Sequence, residues 1–192
     1  MKKDIILAGV GGQGILSIAA SIGLAAVDAG LFLKQAEVHG MSQRGGDVQS
    51  NLRLSDKEIA SDLIPFGKAD MILSVEPMES LRYLPMLASE GWLITNTTTF
   101  VNIPNYPGKD ALIAEIKNVP NHIMLDAEEI AKETGSSRSA NMVMLGALLA
   151  RNPLVSLDSI KQALDIIIPE RNKRFIPANL LALDRGFNFK PA

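Results

Sequence analysis

Two short segments hold most of the side chains and backbone that could do chemistry. The first, GVGGQG at residues 9–14, sets Gly9, Gly11 and Gly14 in the spacing G-x-G-x-x-G, with Gly12 and Gln13 between them. Between a strand and a helix, that spacing makes a tight turn whose amides, with the helix N-terminus, can hold a phosphate or a carboxylate. The same glycines also serve where a helix merely packs close to a strand, and both readings stand at this point. Ile15 and Leu16 occupy the places where a P-loop carries lysine and serine or threonine, so nucleoside triphosphate hydrolysis is not expected. The second segment, EVHGMSQRGG at residues 37–46, gathers Glu37, His39, Ser42, Gln43 and Arg44 ahead of Gly45 and Gly46. A guanidinium followed by glycines that can turn their amides outward suits an anion or a partner's carboxylate. Arg44 paired with a nearby carboxylate, with the glycines only shaping a turn, is the alternative. Glu37 lies near the end of a second predicted strand, where a dinucleotide site places its ribose-binding acid, so NAD binding is a further reading. Gln13 has no part in such a site. No G-x-S-x-G elbow is present, and no nucleophile is set beside a base.

Composition narrows the classes. The 192 residues carry a net charge of −2, with 47% hydrophobic and 21% charged residues, as in an ordinary soluble protein. No basic excess marks a nucleic-acid or anionic-membrane binder. There is no cysteine and there are two histidines, His39 and His122, far apart in sequence. Disulfides, thiolate clusters and cysteine nucleophiles are therefore excluded, no metal site is expected, and iron-sulfur clusters would need another chain. Residues 5–27 carry no charge and imitate a membrane span, but the glycines interrupt the run. A buried strand, a turn and a buried helix are expected there, and a cytoplasmic protein.

The elements that must position the two segments follow from hydrophobic period. Residues 4–9 form a buried strand, and Ile15, Ile18, Ile22 and Ala26 recur at helical spacing to about Gly30. Residues 31–37 form a second strand. Residues 48–55 and 58–64, around the turn SDKE, read as an antiparallel hairpin. Strands are predicted at 70–75, 92–96 and 122–125, and helices at 77–90, 109–118, 127–134, 140–151 and 157–168. Asp126 and Glu129 form a capping box and Gly135 a stop. A last helix starts at Pro177 and ends before Gly186, and 102–108 is the clearest loop. Met71, Met78, Met86, Met142 and Met144 read as core filling, and His122 as structural. The alternation predicts an α/β fold: a three-layer Rossmann-like domain over residues 1–192, with a mostly parallel sheet plus an antiparallel hairpin.

GVGGQG, EVHGMSQRGG and VQSNLR taken together resemble the gamma subunit or domain of the 2-oxoacid:ferredoxin oxidoreductases, in the wording of its indolepyruvate branch. The resemblance continues through ADMILSVEPMESLR, WLITNT and NMVMLGAL, to about residue 150. The stretch ERNKRFIPANLLALDRGF matches it only loosely, at Asn172 and Gly186. The resemblance implies a complex that decarboxylates a 2-oxo acid, of arylpyruvate type, and passes electrons to ferredoxin. It also implies that thiamine diphosphate and iron-sulfur clusters sit in a large partner subunit, with coenzyme A as a possible shared ligand. No catalytic residue is expected in this chain, which on its own should be silent. Gly11, Gly12, Gln13, Gly14, Arg44, Gly45 and Gly46 would form the cofactor-binding set, with a phosphate of coenzyme A, the carboxylate of the 2-oxo acid or a carboxylate of the large subunit as the target of Arg44. Glu37, His39, Ser42, Gln43, Asn96 and Asn141 would face substrate or partner.

Overall fold

The computed structural model describes residues 1–40, 45–153 and 155–191. A central sheet of six strands has the order β2-β3-β1-β4-β5-β6. Its strands are β1 (Lys2–Val10), β2 (Phe32–His39), β3 (Asp47–Ser55), β4 (Ala69–Ser74), β5 (Leu87–Asn96) and β6 (His122–Leu125). β1, β4, β5 and β6 pair in parallel, and β3 runs antiparallel to both β1 and β2. The sheet is thus mixed as expected, and Lys2–Val10 and the helix α1 (Ile15–Asp28) replace the imitated membrane span. Among the described residues no helix is long and apolar enough to cross a membrane.

Alternate residues of a strand point to opposite faces, which sorts the core into two halves. Ile5 and Leu7 of β1 face the helices α1, α5 (Ala140–Arg151), α6 (Leu157–Ile167) and α7 (Ile176–Phe187), with α4 (Ala127–Glu133) beside them. Ile6 and Ala8 face the other way, toward Ile64, Met86, Ile116 and Val119 on the side of α2 (Pro77–Arg82) and α3 (Lys109–Lys117). Ile5, Ile6, Leu52, Ile72 and Leu93 are fully buried, each contributing about 1.5–3 kcal/mol of hydrophobic free energy.

Three expectations need correction. Residues 58–64 are not a strand, and the hairpin is β2–β3, joined across residues 40–46. Both edges of β3 are already taken, by β1 and β2, so the following segment lies over the sheet instead of beside it. It is held there by Arg53, whose Nη1 donates to Ser61 O and Leu63 O, and by Asn51, whose Oδ1 accepts from Ile64 N. The helix expected over 77–90 stops at Arg82; a short 3₁₀ turn, Leu84–Met86, follows, and residues 87–90 already belong to β5. Gly186 does not end the last helix but sits within it, because α5 and α7 cross with almost touching backbones. A β-carbon at Gly186 would fall 1.9 Å from Val143 O, and one at Gly146 would fall 2.1 Å from Leu183 O. Half of the capping box forms: Asp126 Oδ1 accepts from Glu129 N at 2.9 Å, while the Glu129 carboxylate pairs with Lys132 at 3.1 Å. Met71, Met86, Met142 and Met144 are buried and Met78 half-buried.

Candidate functional site

β1 delivers the glycine turn to the C-terminal end of the parallel strands, the usual end for ligands in an open α/β sheet. Gly9 serves packing, since a β-carbon there would fall 2.3 Å from Val75 Cγ2. Gly12 and Gly14 serve the backbone, with φ of 101° and 82°, values that side-chain-bearing residues rarely adopt. Gln13 closes the turn on itself: its N–H donates to Val10 O, and its Oε1 accepts from Val10 N at 2.8 Å. Gly14 starts α1 with no side-chain cap, leaving the first amides of a 14-residue helix without a side-chain partner.

The second segment comes to the same place. Gly11 N donates to Gly46 O at 2.8 Å, which sews the glycine turn to the start of β3. A cleft of about 420 Å³ opens beside them, lined by Gly11, Gly12, Gly14, Leu16, Glu37 and His39. Glu37 and His39 are both exposed and, two apart on the edge strand β2, share one of its faces. Ser42, Gln43 and Arg44 lie outside the described residues. On the other side of the turn a second cleft of about 360 Å³ is bounded by Gly12, Gln13, Asn96, Arg138 and Asn141.

The two asparagines are tied into the scaffold. Asn141 Nδ2 donates to Gly14 O at 3.3 Å. Asn96 is buried; its Nδ2 donates to Val75 O, and its Oδ1 accepts from Thr98 N and Ala127 N. His122 is structural as expected, its Nδ1 lying 2.7 Å from Val119 O. The topology disfavours a dinucleotide site. β3 is inserted between β1 and β2, so Glu37 stands two strand spacings, about 10 Å, from the strand that carries the glycine turn.

A cluster of acids beneath the site escaped the sequence reading. Glu76 and Glu79 are fully buried. Glu76 caps α2, accepting from Glu79 N at 2.9 Å, and also accepts from Phe100 N and from the Tyr106 hydroxyl. Glu79 receives Arg82 Nε at 2.7 Å. Burial pushes the Glu79 carboxyl above its ordinary range, against the pull of the Arg82 guanidinium. The Tyr83 hydroxyl donates to Asp47 Oδ2 at 3.2 Å. Both tyrosine pKa values are raised, first by burial and then by the facing carboxylates, so both hydroxyls stay neutral donors. The visible signal was Glu76 ahead of Pro77, a cap followed by proline at the first helical position.

Comparison with known proteins gives the family and the fold. Residues 4–189 match the family described as pyruvate ferredoxin/flavodoxin oxidoreductase, well past the point near residue 150 where the motif wording thinned. The chain is 35% identical to the indolepyruvate oxidoreductase subunit IorB of Archaeoglobus fulgidus, over 98% of this chain and 95% of that one. Among solved structures, the gamma subunit of a keto/oxoacid ferredoxin oxidoreductase from Geobacter sulfurreducens is 25% identical, with a TM-score of 0.71 and 96% of each chain covered. The 2-oxoglutarate:ferredoxin oxidoreductase from Magnetococcus marinus, solved with 2-oxoglutarate, coenzyme A and succinyl-CoA, shares the fold at a TM-score of 0.71 and 20% identity. All of this chain corresponds to 32% of that longer one. The chain belongs to the pyruvate ferredoxin/flavodoxin oxidoreductase family and resembles its indolepyruvate oxidoreductase small subunits along nearly its whole length.

Proposed function

We propose that this chain is the small subunit, a single gamma-type domain, of a cytoplasmic 2-oxoacid:ferredoxin oxidoreductase acting on an arylpyruvate such as indolepyruvate. Its relative from Archaeoglobus fulgidus, named for indolepyruvate, supports that choice of substrate. A large subunit supplies thiamine diphosphate and the iron-sulfur clusters, which this chain, having no cysteine, does not ligate through thiolates. Thiamine diphosphate supplies carbanion stabilisation and the clusters carry electrons to ferredoxin. The role of this chain is to cover the partner's active site, exclude water and help hold coenzyme A, the acyl acceptor.

One observation carries this reading. The bond from Gly11 N to Gly46 O ties the glycine turn, which lines the cleft at the uncapped start of α1, to the glycine that precedes β3. The uncapped amides and side-chain-free Gly12 and Gly14 fit a phosphate group of coenzyme A approaching the backbone. Arg44, two residues before Gly46 in sequence, is assigned the fork-like grip on that anion, which lysine does not reproduce.

The test is Arg44→Lys in the reconstituted two-chain enzyme. The apparent affinity for coenzyme A should fall about tenfold or more, the loss of a charge-assisted hydrogen bond, with the KM of the 2-oxo acid and assembly little changed. Weakened assembly instead would make Arg44 an interface residue. Parental affinities and assembly in both Arg44→Lys and Arg44→Ala would end the reading of this loop.

A further inference from the structure

The segment 97–108 follows β5 and holds no strand or helix; beyond Thr97 and Thr98, which are tied to the ends of β5 and β6, it is fixed at three points. Two are on Glu76, which accepts from Phe100 N at 3.2 Å and from the Tyr106 hydroxyl. The third lies between them in sequence: Asn102 Nδ2 donates to Gly45 O at 2.7 Å. The other amide atom of that side chain, Oδ1, is buried without a partner. Turning the amide over would set that oxygen against the Gly45 carbonyl, so the orientation is fixed by the one bond it makes. Beyond Gly45, Gly46 O accepts from Gly11 N. A continuous path therefore runs from a fully buried carboxylate on α2, through the irregular segment, to the glycine turn about which the cleft is built.

We propose that Glu76 is a positioning residue: through Tyr106, Phe100 and Asn102 it fixes the Gly45–Gly46 corner against Gly11, and so sets the shape and ligand affinity of the cleft. The proposal rests on the reading of that cleft as the coenzyme A site. A carboxylate suits the task because its two oxygens accept three donors here, Glu79 N, Phe100 N and the Tyr106 hydroxyl, from two separate parts of the chain. Each is a charge-assisted bond, stronger than its neutral equivalent. Apart from the bonds of Thr98 to Asn96 and Asp126 and one turn bond from Tyr106 N to Ile103 O, these ties are what hold Asn102 at the corner.

Tyr106→Phe removes one hydroxyl from the surface of the path and Asn102→Ala removes its last link; both are mild enough to fold. Two readings are taken. In the isolated chain, protection of the Gly11 amide against hydrogen exchange should fall about tenfold in each variant, while the Ile94 amide in the sheet keeps its protection. In the reconstituted enzyme, the KM for coenzyme A should rise about tenfold with kcat within about twofold, and the double variant should cost less than the product of the single effects. A purely structural role would lower stability without that separation of KM from kcat. Unchanged Gly11 protection in both single variants overturns the proposal. So does a fall in protection with an unchanged KM, provided that Gly12→Ala, which alters the turn itself, does raise the KM. If Gly12→Ala also leaves the KM unchanged, the coenzyme A reading of the cleft is overturned, and the positioning proposal with it.

Discussion

The two ends of the parallel strands use the same kinds of group in opposite ways. At the N-terminal end, Asp4 and Arg53 are 2% and 7% exposed and spent on each other. Arg53 donates to both Asp4 oxygens, at 2.8 and 3.0 Å, and its Nη1 also holds the carbonyls of Ser61 and Leu63. Asp4 N in turn donates to Asp70, and Lys2 lies 2.9 Å from the Asp4 carboxylate. At the C-terminal end, the glycine turn leaves α1 without a side-chain cap, and Glu37 and His39 stand exposed beside the cleft. One end is closed by mutual satisfaction; the other is open, with a helix start that has no side-chain cap. The buried pair at the closed end serves stability, whereas the buried Glu76 at the open end ties the irregular segment 97–108 to α2.

Arg53→Ala should show the sharpest contrast. It leaves the buried Asp4 with only the exposed Lys2 as counter-charge, which costs on the order of 3 kcal/mol. The urea midpoint should drop steeply, while the KM for coenzyme A in enzyme that still assembles stays at its parental value. A raised KM would mean that the two ends are coupled. At the other end, Gly12→Ala has open space around the new methyl group, so its cost comes from φ alone, about 1–2 kcal/mol. Here the ligand KM should suffer more than the denaturation midpoint, the reverse of Arg53→Ala.

The third prediction uses pH. Glu79 titrates above its ordinary 4.5 when folded, because it is buried. Above pH 4.5 the native state therefore holds more proton at this site than the unfolded chain, and stability falls as pH rises through the raised pKa. Urea midpoints taken from pH 4.5 to neutrality should show this contribution in the parent and lose it in Glu79→Gln. An equally steep fall in both would remove Glu79 as its source. The smallest effect is expected back at the closed end, where the Arg151 guanidinium lies 3.3 Å from the centre of the Trp92 ring. Arg151 is exposed, so Arg151→Ala should cost about 0.5–1 kcal/mol in the same assay and leave ligand kinetics alone.

Local order was legible wherever it is set by neighbours in sequence. β6 was read to the residue, and α3 to α6 to within about a residue at each end, because short apolar runs and caps decide them. Residues 58–64 misled because their pattern suits a strand, and nothing local reveals that β1 and β2 already occupy both edges of β3. Gly186 looked like a stop because glycine ends helices; its reason is Val143 O, brought from another helix. At the site, the two glycine segments announced themselves, but not their joining through Gly11 and Gly46. Glu76 was invisible as a tether because its donors come from residues 79, 100 and 106, and such convergence belongs to the fold.

The crossing of α5 and α7 has a consequence for the chain as it leaves the ribosome. α5 is apolar nearly throughout and buries Val143, Leu145 and Leu148 completely. Part of its cover, around Gly146, is Leu183 and Gly186 of α7, which are made more than thirty residues later. At about 5–20 residues per second, the nascent chain holds that face uncovered for a time on the order of seconds. The earlier strands and helices can assemble during that interval, but the core stays open on one side until the last helix arrives. Synthesis that stops before α7 therefore yields a chain with a greasy flank, the kind of surface that chaperones and proteases grip.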